Sequence, residues 1–136
     1  MKAPRVLVID DNVATVELTS FILGAAGFVV ASTTEASRAV SEISTFRPDL
    51  ILMDIQMPGL DGLELTRQIK RTPSSKDILI VAFTAFAMKG DEARMLEAGC
   101  DGYIAKPFDV AGFAGKIRAM VRAHRLLVVG GKCALD

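Results

Sequence analysis

The chain predicts an α/β fold: a five-stranded parallel sheet, doubly wound, with helices on both faces. Three observations predict it. Short unbroken apolar runs recur along the 136 residues, and strands covered on both faces show no polar alternation. Helical stretches of about ten to fifteen residues separate these runs, as β–α units require. The composition, 51% hydrophobic and 24% charged, is that of a globular chain, and a domain of this size buries roughly 68–70% of its unfolded surface.

The elements follow in order. Residues 6–9, all apolar, form the first strand and end at Asp10-Asp11. Residues 15–26 read as a helix with Val16, Ile22 and Leu23 to one side and Gly27 as its stop. Residues 28–31 are the second strand. Ser32-Thr33-Thr34-Glu35 offers a capping box for a helix reaching about Phe46, since Pro48 forbids continuation. The third strand covers 49–53. The next helix covers 62–71, with Leu65 and Ile69 four apart and Pro73 beyond its end. Residues 78–83 are the fourth strand, 89–98 a helix stopped by Gly99, and 102–105 a weaker fifth strand. The last helix runs from about Val110 to His124. Residues 1–124 therefore make one domain. Residues 125–136 fall outside the pattern as a C-terminal tail: a loose end, a packed extension or the remnant of a longer parent.

Several function classes are disfavoured at this level. Sixteen basic and sixteen acidic residues cancel, so there is no electrostatic footprint for nucleic acid or an anionic membrane. Residues 109–136 carry a net +3 and the first 108 a net −3. The longest uncharged run, between Glu17 and Glu35, is interrupted by Gly24 and Gly27, whereas a spanning helix needs about 20 mostly apolar residues. The apolar run after Lys2 and Arg5 is too short for a signal peptide. Cys100 and Cys133 are far apart and lack a C-x-x-C pattern or a nearby histidine. A disulfide or zinc site is not expected, and the cytoplasm is the expected compartment.

The polar residues that interrupt the pattern carry the chemistry. In an open parallel sheet, ligands bind outside the carboxyl ends of the strands. The first strand ends at Asp10-Asp11 and the third at Asp54; Thr84 follows the fourth, and Lys106-Pro107 the fifth. Taken singly, each has an ordinary explanation as a turn, a cap or a surface residue. Together they put three carboxylates, a hydroxyl and an ammonium on one edge of one sheet. Clustered carboxylates repel unless a cation neutralises them. An all-oxygen site suits a hard divalent ion, Mg²⁺ before Ca²⁺. A metal beside a carboxylate nucleophile, a lysine and a hydroxyl is equipment for phosphoryl transfer.

The motifs are Val-Leu-Val-Ile-Asp10-Asp11-Asn12, Pro48-Asp49-Leu-Ile-Leu-Met-Asp54-Ile-Gln56-Met-Pro58-Gly59-Leu-Asp-Gly62, Val-Ala-Phe-Thr84-Ala85 and Gly99-Cys-Asp-Gly102-Tyr103-Ile-Ala-Lys106-Pro107. Over about residues 4–123 the chain resembles a response-regulator receiver domain of the CheY-like superfamily, with segments like those of stand-alone, single-domain receivers. The resemblance implies a flavodoxin-like (βα)5 fold with strand order 2-1-3-4-5. It implies that Asp54 is the phospho-acceptor, attacking a phosphohistidine on a histidine kinase or histidine phosphotransfer protein. Asp11 matches the direct Mg²⁺ ligand, Asp10 a ligand through water and the Gln56 carbonyl the third protein ligand, and Mn²⁺ can substitute. Lys106 matches the lysine that pairs with Asp54 and then with the phosphoryl group. Thr84 and Tyr103 match the switch pair, and Pro107 a proline preceded by a cis bond. Gln56 and Phe86 match the positions that govern water access to the acyl phosphate.

The implied function is phosphorelay signalling in a two-component system by a single-domain response regulator. Such a domain phosphorylates itself and slowly dephosphorylates, and is not a turnover enzyme. It is expected to act through protein contacts on the face of the fourth helix, fifth strand and fifth helix, as a monomer or weak dimer, without binding nucleic acid directly or a membrane. A receiver excised from a hybrid histidine kinase and a pseudo-receiver scaffold are the related alternatives. A flavin or nucleotide binder is a different class, but no Gly-rich phosphate loop follows the first strand. His124 reads as a complement to a helix dipole. Arg118, Arg122 and Arg125 fall on one helical stripe, a solvated face or a dock for an acidic partner. Met88 and Met95 could serve either the core or a partner surface.

Overall fold

The apolar runs form strands whose burial follows their place in the sheet. The computed structural model describes residues 3–57, 59–84 and 91–135. Strands β1 (Arg5–Ile9), β2 (Val29–Thr33), β3 (Leu50–Met53), β6 (Leu79–Thr84) and β7 (Gly102–Ala105) make one parallel sheet in the order β2-β1-β3-β6-β7. A separate two-stranded hairpin, β4 (Gln56–Met57) with β5 (Leu60–Asp61), accounts for the gap in numbering. Without it, the long strands stand in the expected 2-1-3-4-5 order. The central strands β1, β3 and β6 are buried along their length apart from Arg5, while the edge strands β2 and β7 are partly open. Helices α1 (Val13–Ala25), α2 (Ala39–Phe46), α3 (Gly62–Arg71), α4 (Asp91–Ala98) and α5 (Val110–Leu135) connect them.

Side-chain alternation along the strands splits the core in two. Leu7, Ile9, Ile51, Met53 and Ile80 pack with Ile43 of α2, Leu65 and Ile69 of α3 and Met95 of α4. Val6, Val8, Leu50, Leu52, Val81 and Phe83 pack with Val16 and Leu23 of α1 and with Phe113, Ile117 and Val121 of α5. Met95 is thus core; Met88 lies outside the described residues.

Several boundaries differ from expectation, for local reasons. Helix α1 starts two residues early because the Asn12 side chain accepts a hydrogen bond from the Thr15 N–H. The capping box before α2 does not form. The Thr33 hydroxyl instead accepts from the Glu35 N–H, a 3₁₀ turn follows at Ala36–Arg38, and α2 begins only at Ala39. The start expected for α4 at residue 89 lies outside the described residues. Helix α5 passes His124 and runs through most of the expected tail to Leu135. Gly130 and Gly131 each disfavour helix by about 1 kcal/mol without forbidding it, and no proline follows. His124 is therefore mid-helix, and its Nε2 donates to the Asp77 carbonyl at 2.6 Å. The arginine stripe is largely committed within the chain. Arg118 donates to the Ala26 carbonyl and lies over the Phe28 ring, and Arg125 pairs with Asp49 at 3.5 Å.

The hairpin carries the chain from Asp54 into α3. Asp61 caps α3 by accepting from the Leu63 and Glu64 N–H groups. Gly62 follows it, and a Cβ there would stand 2.9 Å from the Ile55 Cα, one residue past Asp54. Gly62→Ala must push backbone against backbone, and we expect it to cost about 1–3 kcal/mol in urea unfolding. Gly24→Ala in α1, where a Cβ meets nothing within 4 Å, should be neutral or stabilising by up to about 1 kcal/mol.

Candidate active site

The sheet brings the carboxyl ends of β1, β3, β6 and β7 side by side. Asp10 follows β1, and its backbone N–H donates to the Thr33 carbonyl. Its side chain is fully buried. One carboxylate oxygen accepts from the Asn12 N–H at 2.9 Å and the other from Lys106 Nζ at 2.6 Å. Both Asp10 oxygens are therefore already engaged. Asp11, next in sequence, is exposed. Asp54 follows β3, held in place by its N–H on the Ile9 carbonyl at 2.8 Å. Only 7% of it is exposed. Its Oδ1 accepts from the Gln56 N–H at 3.0 Å, and its Oδ2 lies 3.7 Å from Lys106 Nζ. Oxygens of Asp10, Asp11 and Asp54 all lie within 4.8 Å of one another.

Thr84 closes β6 and is buried. Its carbonyl accepts from the Lys106 N–H at 2.8 Å, which ties the two strand ends together. The Lys106–Pro107 bond is cis. Lys106 stands closer to Asp10 than to Asp54 (2.6 against 3.7 Å), although the resemblance implies a pair with Asp54. The physical reason is available: Asp10 is the more deeply buried carboxylate, and an unpaired charge there would be the costlier one. Gln56 is exposed at the start of β4. Tyr103 is half-buried on β7, beside Ala82 of β6 and against the α2–α4 half of the core. Phe86 lies outside the described residues.

Burial pushes the Asp54 carboxyl above the ordinary aspartate value. The Gln56 N–H and the Lys106 ammonium oppose that rise, while Asp10 and Asp11 add to it. Among the described residues one ammonium faces three carboxylates, an excess of negative charge. A hard divalent cation among these oxygens would offset it. Sequence reasoning gave Asn12 no role, yet its N–H orients Asp10 while its side chain caps α1. The signal was available in an Asn directly before a helix. A groove of about 480 Å³, lined by Val40, Ile43, Arg47, Pro48 and Ile78 among others, opens beyond the amino ends of β3 and β6, on the opposite edge of the sheet. Among the described residues, no helix is long and apolar enough to cross a membrane.

The chain matches the response regulator receiver domain family over residues 6–118. It is 40% identical over 114 residues to the polar-differentiation response regulator DivK of Brucella anthropi, covering 84% of this chain and 93% of that one. Identity to the Brucella ovis protein of the same name is 39% over the same length. Among solved structures it is similar to a CheY-like response regulator receiver domain protein from Methanospirillum hungatei. The TM-score is 0.82 at 26% identity, over 90% of this chain and 97% of that one.

Proposed function

Because this chain belongs to the response regulator receiver domain family, and so acts in two-component signalling, we propose that Asp54 is its phospho-acceptor. The observation that carries this is a buried carboxylate at the end of β3, with one ammonium and two further carboxylates around it. An Asp54 oxygen attacks the phosphorus of a phosphohistidine, a P–O bond forms, the P–N bond breaks and its electron pair leaves with the imidazole. Lys106 leaves Asp10 and follows the negative charge onto the phosphoryl oxygens. The direct test is transfer from a labelled phosphohistidine kinase or phosphotransfer protein to this chain. Failure with every such donor and with small phosphodonors would end the proposal.

The donor set suits Mg²⁺ or Mn²⁺. With both Asp10 oxygens engaged, Asp11 and Asp54 remain as direct ligands, Asp10 can act through water, and the Gln56 carbonyl is the third protein ligand. When bound, the ion neutralises charge on the carboxylates and the transferring group. Asp11→Asn should weaken Mn²⁺ binding at least tenfold by calorimetry, because a hard cation loses a charged oxygen ligand. Equal affinity would move the metal elsewhere.

The partner that supplies the phosphoryl group must reach Asp54 past Lys106. Leu18 of α1 and Val110 of α5, 43% and 52% exposed, line a hollow there with Lys106, Pro107 and Phe108. That apolar rim suits a histidine kinase or phosphotransfer partner. The downstream target binds the face of α4, β7 and α5, where Leu96 is exposed. Thr84 moves toward the phosphoryl oxygens and Tyr103 turns inward, a shift between states that the phosphoryl group contacts differently. Thr84→Ala should then take up phosphate yet lose most of the phosphorylation-dependent gain in target affinity, read by titration of both forms. An intact gain would rule the switch out.

A further inference from the structure

Phe83 precedes Thr84 and Phe108 follows Pro107, so the strand ends that supply the hydroxyl and the ammonium also supply aromatic rings. Phe83 is fully buried. Its ring centroid lies 5.3 Å from that of Phe108 and 5.9 Å from that of Phe113, and Phe108 and Phe113 are 4.5 Å apart, all tilted. Tilted contacts at these distances are favourable. Three rings drawn from β6, the β7–α5 connection and α5 leave Phe83 little room to turn. Lys106 Nζ stands 4.8 Å from the centroid of this ring, within the range where a ring face attracts an ammonium.

The same ammonium touches Asp10 at 2.6 Å and reaches Asp54 at 3.7 Å. It is thus in full contact with Asp10, the more buried carboxylate, and its flexible stem must carry it off that oxygen before it can serve a group on Asp54. A hydrogen-bond acceptor in place of the ring would tether the ammonium at one point. A ring face attracts it over a broad area and leaves it free to slide. We infer that Phe83 is a positioning residue for Lys106: its immobile face stays within reach of the ammonium beside Asp10 and guides it onto the group that Asp54 accepts. This rests on Asp54 being the phospho-acceptor.

The test uses the full chain with acetyl phosphate and Mg²⁺. Phe83→Leu should slow phosphorylation about tenfold. Because that variant also changes packing, a second series replaces Phe83 site-specifically with phenylalanines carrying one, two or three ring fluorines. Fluorination keeps the shape while draining negative charge from the face. The rate should fall with each fluorine while the melting temperature stays level. In the unmodified chain the Lys106 ε-methylene protons should show an upfield ring-current shift that Phe83→Leu removes. A flat rate across the fluorine series, or unshifted ε protons, overturns the role of Phe83 and leaves Asp54 as acceptor. No phosphate uptake by the unmodified chain overturns both.

Discussion

Asp54→Asn is expected to remove hydroxylamine-sensitive phosphate incorporation completely. The amide has nearly the same shape and can still accept from the Gln56 N–H, so the fold should survive. Its nitrogen is not a nucleophile toward phosphorus, and its oxygen carries no full charge. Residual label in the variant would put the acceptor on another residue. The same change carries a stability signature with a definite sign. Burial and the neighbouring Asp10 and Asp11 hold the Asp54 carboxyl above its ordinary value, so the folded state keeps a proton that the unfolded state has released. Stability of the metal-free wild type therefore falls as pH rises from the ordinary carboxylate value through the raised one. Asp54→Asn lacks that loss. Its stability advantage in chelator should be absent at pH below the ordinary value, grow through this window and level off above it. Urea unfolding of both proteins across pH reads this directly, and a constant difference would mean that Asp54 is not strained by its neighbours.

Lys106→Met is the second large effect. It preserves the apolar stem but removes the ammonium that contacts Asp10 at 2.6 Å and Asp54 at 3.7 Å. Breaking a buried pair by deleting one partner costs about 3–5 kcal/mol, since the other charge stays buried and uncompensated. Lys106 is partly exposed (19% of its side chain), which favours the lower end, about 3 kcal/mol in chelator. Two further measurements isolate the cause. Millimolar Mg²⁺ should restore part of the loss, because it replaces the missing positive charge. Adding Asp10→Asn should also restore part, because it removes the orphaned charge. A loss that neither treatment relieves would be a packing defect and not an electrostatic one.

What could be read in advance follows from what each feature depends on. The central strands were legible because double burial demands unbroken apolar runs, and β1, β3 and β6 have them. The site was legible for a related reason: a parallel sheet carries its strand ends to one edge, so Asp10, Asp54, Thr84 and Lys106 had to meet. Features set by competition between near-equal local partners were not. The box from Ser32 to Glu35 could cap a helix or yield to a turn of Thr33 on Glu35, and the turn forms. The hairpin of Gln56–Met57 and Leu60–Asp61 is too short for any periodicity to register. The preference of Lys106 for Asp10 is a matter of relative depth, which no spacing along the chain encodes.

The division of the core into two layers has a further consequence. Helix α1, with Leu18 beside the entrance to Asp54, rests on one face of the sheet, and α4, with Leu96, rests on the other. The central strands β1, β3 and β6, buried apart from Arg5, stand between them. Their surfaces can therefore be rewritten separately: new exposed residues on α1 require no repacking beneath α4, and the reverse holds. What must stay constant is the shared seam at the strand ends and α5, whose Val110 borders the donor hollow while its helix also edges the target face. This arrangement lets a variant acquire a different phosphoryl donor while keeping its target, or keep the donor and change the target. Insulation from its siblings can then accumulate one face at a time, without passing through an unstable intermediate.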